Sequence, residues 1–154
     1  MKTKAMTQQL AMISVFVEDQ DEALHFYIEK LGLEKRIDVT YGPGLRWVTV
    51  APTGQKKPEI ALAKPDVTLH SEEYIKELTE RIGQDVAWRF ATDNCYESYE
   101  ELCSRGVKFI NAPMKQLYGV EAVFEDPYGN TFSLLEPSPE ARLLFQERKT
   151  GTAA

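Results

Sequence analysis

Apolar and polar positions alternate along residues 9–17, so that Ile13, Val15 and Val17 fall on one side of an extended chain and Met12, Ser14 and Phe16 on the other. The pattern predicts a strand. Asp19 with Glu22 three residues on makes a capping-box signature, and Leu24, Tyr27, Ile28 and Leu31 then recur at helical spacing until Gly32 stops the run. Two further strands are predicted at 34–41 and 45–51, around Tyr41-Gly42-Pro43-Gly44, and a fourth at 59–63 after the turn Pro52-Thr53-Gly54. This first module ends at Pro65. Residues 66–85 read as a polar linker with a helix capped by Ser71, carrying Ile75, Leu78 and Ile82 and stopped by Gly83.

The opening pattern then begins again. A strand is predicted at 86–92, Asn94 with Glu97 repeats the capping box, a helix runs through Tyr99 and Leu102, and Gly106 ends it. Asp19 to Asn94, Pro52 to Pro127 and Gly54 to Gly129 are each separated by 75 residues, Gly32 to Gly106 by 74 and Pro65 to Pro137 by 72. The drop to 72 makes the first hairpin turn three residues longer than Asp126-Pro127-Tyr128-Gly129-Asn130. Such a repeat is one βαβββ unit used twice, each helix covering one face of a short sheet. The expected fold is α+β: paired βαβββ modules, 9–65 and 86–137, forming a U-shaped, cup-like sheet within a single domain, 9–137. Residues 1–8 read as a disordered start, and 138–154 as a terminal helix, with Pro139 at its first position, followed by a tail.

Bulk composition narrows the function. A chain of 154 residues is long enough for one well-buried domain. Its net charge of −6 and pI near 5.0 give a field of the wrong sign for nucleic acid or anionic membrane, leaving a small organic molecule, cationic or neutral, as the expected partner. No leader and no long apolar run is seen, so the expected location is cytoplasmic, away from membranes. Cys95 and Cys103, eight apart in one predicted helix, read as two reduced thiols.

Val17-Glu18-Asp19, Ala23-Leu24-His25-Phe26-Tyr27, Leu31-Gly32-Leu33, Glu101-Leu102, Arg105-Gly106-Val107 and Asp126-Pro127-Tyr128-Gly129-Asn130 occur in an order that resembles the vicinal oxygen chelate superfamily. That group includes glyoxalase I, extradiol dioxygenases, fosfomycin resistance enzymes and bleomycin resistance proteins, and the resemblance covers 9–137. It implies the U-shaped sheet, a homodimer and, in the metalloenzyme members, a divalent ion held by the first and last strand of each module. The matching positions here are Met12, Ala61, Ala87 and Ser133, none of which suits such an ion. Gln9, Asp85 and Glu59 stand near those positions, but the two histidines, His25 on the flank of the first helix and His70 in the linker, read as solvated surface. No metal and no cofactor is expected.

Strand alternation marks the face opposite the helices: Met12, Ser14 and Phe16; Trp47 and Thr49; Glu59, Ala61 and Ala63; Ala87, Arg89 and Ala91; Ala122 and Phe124; Thr131 and Ser133. Small and aromatic walls with few charges suit a ligand pocket. For Phe16, Trp47 and Phe124, ordinary core or dimer interface stands beside ligand contact. Arg89 is expected to hold a carboxylate or phosphate, and Glu59 to act as a base or bind a cation; beside these roles stand an ion pair with each other or with a neighbour, and simple exposure at a strand end. Tyr118, at the end of a polar loop, reads either as reaching across the cup mouth or as a surface turn. The leading expectation is a metal-independent binding protein resembling the bleomycin resistance type. A glyoxalase-like lyase, isomerase or dioxygenase with an atypical site, or an interaction subunit without turnover, stands beside it, so whether the chain is an enzyme is left open.

Overall fold

Each half of the chain starts with a strand that feeds a capped helix. In the computed structural model, which describes residues 6, 9–41, 45–65, 71–83 and 88–143, the first half contains β1 (Met12–Phe16), α1 (Gln20–Leu24), β2 (Glu34–Tyr41), β3 (Leu45–Ala51), β4 (Glu59–Ala63) and α2 (Glu72–Glu80). Asp19 adopts an extended backbone and its carboxylate accepts the Glu22 amide at 3.0 Å, so the capping residue acts as the sequence predicts. After Leu24 the helix widens into π-helical turns over His25–Lys30, with the Leu31 amide reaching back five residues to the Phe26 carbonyl at 3.0 Å. Phe26 and Tyr27 are buried there, their rings edge to face at 5.1 Å.

The second half contains β5 (Trp88–Ala91), α3 (Cys95–Ser104), β6 (Lys108–Gln116), β7 (Gly119–Glu125) and β8 (Thr131–Pro137). Asn94 caps α3 by accepting the Glu97 amide at 3.0 Å, and the Glu136 carboxylate accepts the Cys95 amide at 2.9 Å. The stretch expected to be a polar loop before Tyr118 is instead mostly strand: β6 runs to Gln116, pairs with β7 and absorbs two bulges, between Phe109 and Asn111 and between Asn111 and Met114. Its polar side chains are those of an exposed edge strand. Past Pro137 a short helix begins at 139–143, where Ser138 accepts the Ala141 amide on its hydroxyl and the Arg142 amide on its carbonyl.

The chain divides into two units, 1–82 and 83–154. In the first, a four-stranded sheet has the order β1-β4-β3-β2, with β1 and β4 parallel and the remaining pairs antiparallel; in the second, the order β5-β8-β7-β6 repeats that arrangement strand for strand. The α+β class and the twofold βαβββ pattern are therefore present. The linker helix α2 falls in the first unit, capped by Ser71, whose hydroxyl accepts the Tyr74 amide, and anchored by buried Leu78.

Both sheets have one strongly apolar face. In the first unit Val15, Val48, Val50, Ile60 and Leu62 are buried, in register across β1, β3 and β4. In the second, Phe90, Phe109, Phe124 and Phe132 form an aromatic cluster with ring centroids 5.5 to 6.2 Å apart, and Tyr99 of α3 stands edge-on to Phe109 at 4.7 Å. Burial of Phe124 and Phe132, each 1% exposed, stabilises the unit by roughly 1.5–3 kcal/mol apiece. Cys95 is buried at the same place, its thiol directed at the Leu134 carbonyl, while Cys103 is exposed; both are free.

Candidate functional site

The face opposite each apolar core carries the candidate chemistry. In the first unit the register places Met12 beside Glu59, Ser14 beside Ala61, Ala61 beside Thr49 and Trp47 beside Val39, which puts Met12, Ser14, Phe16, Trp47 and Glu59 on one mixed face. Met12, Phe16 and Trp47 are half-buried, and Ser14 is exposed. Glu59 is 7% exposed and hydrogen-bonded at both oxygens: the Thr49 hydroxyl donates to Oε1 at 2.7 Å and the Lys57 ammonium to Oε2 at 3.0 Å. The Thr49 hydrogen bond is the main force holding its carboxyl below the ordinary value; burial opposes it, and Lys57 and Arg36 assist.

In the second unit Arg89 pairs with Ser133, and Ser133 with Val123. Phe124 pairs with Phe132 and is 1% exposed, and Ala122 pairs with Leu134 and is fully buried. The expectation that Phe124 and Ala122 share the face of Arg89 and Ser133 is thus corrected: they lie in the aromatic core under α3. The cause is the choice of side: Val123 is β-branched, but its side of β7 also carries Glu121 and Glu125, whereas Val120, Ala122 and Phe124 make the other side wholly apolar, and that side is the one buried.

With β7 so placed, Glu121 lies on the mixed face, and it is the residue the sequence reading missed. The Arg89 Nε donates to its Oε2 at 3.0 Å and the Tyr118 hydroxyl to its Oε1 at 2.6 Å, with the Ser133 hydroxyl as a third partner. Burial pushes the Glu121 carboxyl up, but the hydrogen bonds from Tyr118, Arg89 and Ser133 outweigh it and hold the group below its ordinary value. Tyr118 occupies the turn between β6 and β7 and is folded onto its own sheet by this bond. Of the pairings expected for Glu59 and Arg89, the neighbouring kind is observed for each, with Lys57 and with Glu121. The signal that finds Glu121 is the alternation of β7 itself, in which Val120, Ala122 and Phe124 form an apolar side and Glu121 and Glu125 mark the opposite one.

The metal positions implied by the family resemblance present a thioether at Met12, a methyl at Ala61 and a hydroxyl at Ser133; Ala87 lies outside the described residues, as do Asp85, His70 and Gly42-Pro43-Gly44. The carboxylates on the mixed faces are engaged within their own units: Glu59 by Thr49 and Lys57, Glu121 by Arg89 and Tyr118, and Glu125 by Lys108. Among the described residues no group of three His, Cys, Asp or Glu side chains is placed to hold a metal ion. His25 is exposed and paired with Glu29 one helical turn on. This donor set does not fit the divalent ion of the metalloenzyme members. Among the described residues no helix is long and apolar enough to cross a membrane.

Residues 9–134 match the family model for the glyoxalase/bleomycin resistance protein/dioxygenase superfamily. An uncharacterized protein of Shewanella frigidimarina is 35% identical over 133 residues, covering 85% of this chain and 95% of that one. Among solved structures, UcmS2 is similar at 38% identity with a TM-score of 0.76, covering 85% of this chain and 99% of its own. TnmS3, described as an antibiotic binding protein from Streptomyces sp. CB03234, is similar at 27% identity with a TM-score of 0.69, covering 88% of this chain and all of its own. The repeated βαβββ topology and the match across nearly the whole chain lead to one conclusion: the protein belongs to the glyoxalase/bleomycin resistance protein/dioxygenase superfamily.

Proposed function

We propose that the protein binds a small organic molecule on its mixed sheet faces without a metal ion, acting in the cytoplasm as a homodimer. The observation that carries this reading is the set of half-buried apolar side chains Met12, Phe16 and Trp47 sharing a face with a buried Glu59 that Thr49 and Lys57 hold in place. Apolar walls with one or two fixed polar groups are what a small-molecule site requires. The likeness to an antibiotic binding protein supports the same class of ligand. For the dimer, support comes from Ile110, Met114 and Leu117, exposed apolar residues on or beside edge strand β6.

The test is a fluorescence titration of the purified chain against a library of aromatic natural products and drug-like compounds. Trp47 reports on its own face, and Trp47→Phe identifies its share of the signal. Saturable binding with micromolar or lower Kd, weakened at least tenfold by Trp47→Ala, is the expected result. A library in which nothing saturates overturns the reading. Light scattering that gives a monomer mass overturns the dimer.

Glyoxalase-like turnover is the competing reading, with Glu59 as base. A general base works best with a pKa near the operating pH, and the carboxyl of Glu59 is shifted the other way. Consumption of methylglyoxal with glutathione, abolished by Glu59→Gln, would establish turnover in its place.

A further inference from the structure

We propose that the hollow at the ends of β5 and β8 is a binding site for a small zwitterion, a free α-amino acid with an apolar side chain being the simplest case. The site belongs to the second unit alone and shares no residue with the Trp47 face.

The hollow measures about 460 Å³ and is lined by Ala91, Thr92, Asp93, Pro137 and Arg142. Clefts that take small molecules run from about 300 to 1,000 Å³, so the size is suitable. Two of the lining residues are charged, and their signs are opposite. Arg142 Nη1 stands 3.7 Å from Asp93 Oδ1, close enough for an ion pair but too far for a hydrogen bond. Among the described residues neither side chain has a hydrogen-bond partner. The planar fork of the guanidinium and both carboxylate oxygens therefore keep their bonding capacity at the wall of the hollow.

A ligand of a single charge would be drawn to one of these groups and repelled by the other, because the two stand only 3.7 Å apart. A molecule with a carboxylate and an ammonium on one carbon satisfies both. Its carboxylate accepts two parallel N–H groups from Arg142, and its ammonium donates to Asp93. One loose ion pair is exchanged for two charge-assisted contacts. The pair contributes little as it stands, since neither side chain is buried, so opening it costs little. Ala91 and Pro137 supply apolar floor for the hydrocarbon part.

The backbone that carries both charges is fixed before any ligand arrives. On one side of Asp93, the Thr92 amide donates to the Leu135 carbonyl at 2.8 Å and the Thr92 hydroxyl is bonded to that of Ser98 at 2.6 Å. On the other side, Asn94 caps α3. The Arg142 amide donates to the Ser138 carbonyl at 2.8 Å, and the Ser138 amide donates to the Tyr118 carbonyl at 2.8 Å. Such anchoring lowers the ordering cost of binding.

The experiment is calorimetric titration of the full chain with L-phenylalanine, with 3-phenylpropanoate, which lacks the ammonium, and with 2-phenylethylamine, which lacks the carboxylate. L-Phenylalanine is expected to bind at one site about tenfold more tightly than either analogue, the difference that one charge-assisted contact makes. Asp93→Asn should remove its advantage over 3-phenylpropanoate, and Arg142→Gln its advantage over 2-phenylethylamine. Asp93→Ser and Arg142→Met replace these variants if either does not fold. Equal affinity of wild type for the three compounds, an advantage that survives both substitutions, or no binding of L-phenylalanine overturns the zwitterion assignment. The library titration followed at Trp47 decides the small-molecule reading separately and is unaffected by any of these outcomes.

Discussion

Asp126 and Asn130 are locked together in both directions: the Asp126 carboxylate accepts the Asn130 amide N–H on Oδ1 and the Asn130 side-chain amide on Oδ2, each at 2.8 Å, and the Asp126 amide donates to the Asn130 carbonyl at 2.9 Å. Both residues are almost fully buried, at 3% and 1% exposed. The Tyr128 amide adds a third bond to the Asp126 carboxylate, and Asn130 Oδ1 accepts the Gly83 amide at 3.0 Å. The β7–β8 turn thereby anchors the start of its own unit. Gly83 has φ +78°, and a Cβ there would stand 2.3 Å from the Tyr128 carbonyl oxygen, so no other residue fits against the turn.

Asp126→Ala should therefore be among the more damaging single substitutions in the chain. It leaves buried donors without partners, each costing about 1–3 kcal/mol, so a total near 3 kcal/mol is expected. For a chain of this size that corresponds to a fall in Tm of about 6–12 °C. Urea unfolding at neutral pH measures the loss. A change below about 1 kcal/mol would show that the turn contributes far less than its hydrogen bonds suggest.

Phe124→Ala should cost about 3–5 kcal/mol, as truncation of a large core ring does, while Val123→Ala on the mixed face should cost about 1 kcal/mol. Ligand binding should follow the opposite order once folded protein is compared. Equilibrium unfolding of the two variants decides the matter, and equal costs would contradict the observed register.

That contrast also locates what the sequence makes legible. Caps are local: Asp19 and Asn94 each need only the amide three residues on, so both helix starts could be read directly. Strand order and the repeat follow from spacing that survives small insertions. Facing has to be read strand by strand, and β7 offers two competing cues: β-branched Val123 on one side, and the wholly apolar set Val120, Ala122 and Phe124 on the other, with Glu121 and Glu125 beside Val123. Lys57 was overlooked because its role depends on the geometry of the turn before β4, which alternation within a strand does not describe.

Stability should fall on mild acidification, and Glu59 should account for part of the fall. Its folded carboxyl is held below the ordinary value of 4.5, chiefly by the Thr49 hydroxyl against the opposing effect of burial. A group with a depressed folded pKa stabilises the native state above its unfolded pKa and loses that contribution as pH drops through the folded value. Urea midpoints taken from pH 7 down to pH 3 should decline less steeply in Glu59→Gln than in wild type below about pH 5. Parallel profiles would mean that Glu59 is not perturbed. Thr49→Val, which removes the largest cause, should flatten the profile in the same direction.

Metal removal should leave ligand binding unchanged. The side chains at the positions implied by the family are Met12, Ala61 and Ser133, and the oxygens of Glu59 and Glu121 are each engaged by Thr49, Lys57, Tyr118 or Arg89. Among the described residues neither carboxylate belongs to a group of three His, Cys, Asp or Glu side chains that could hold an ion. Protein purified without chelator should contain far less than one equivalent of zinc, nickel, manganese or iron by elemental analysis. Dialysis against EDTA should shift neither the Kd for a bound compound nor the Tm. A stoichiometric metal lost with Glu59→Gln or Glu121→Gln would instead mean that these hydrogen bonds open and that the mixed faces reorganise around an ion.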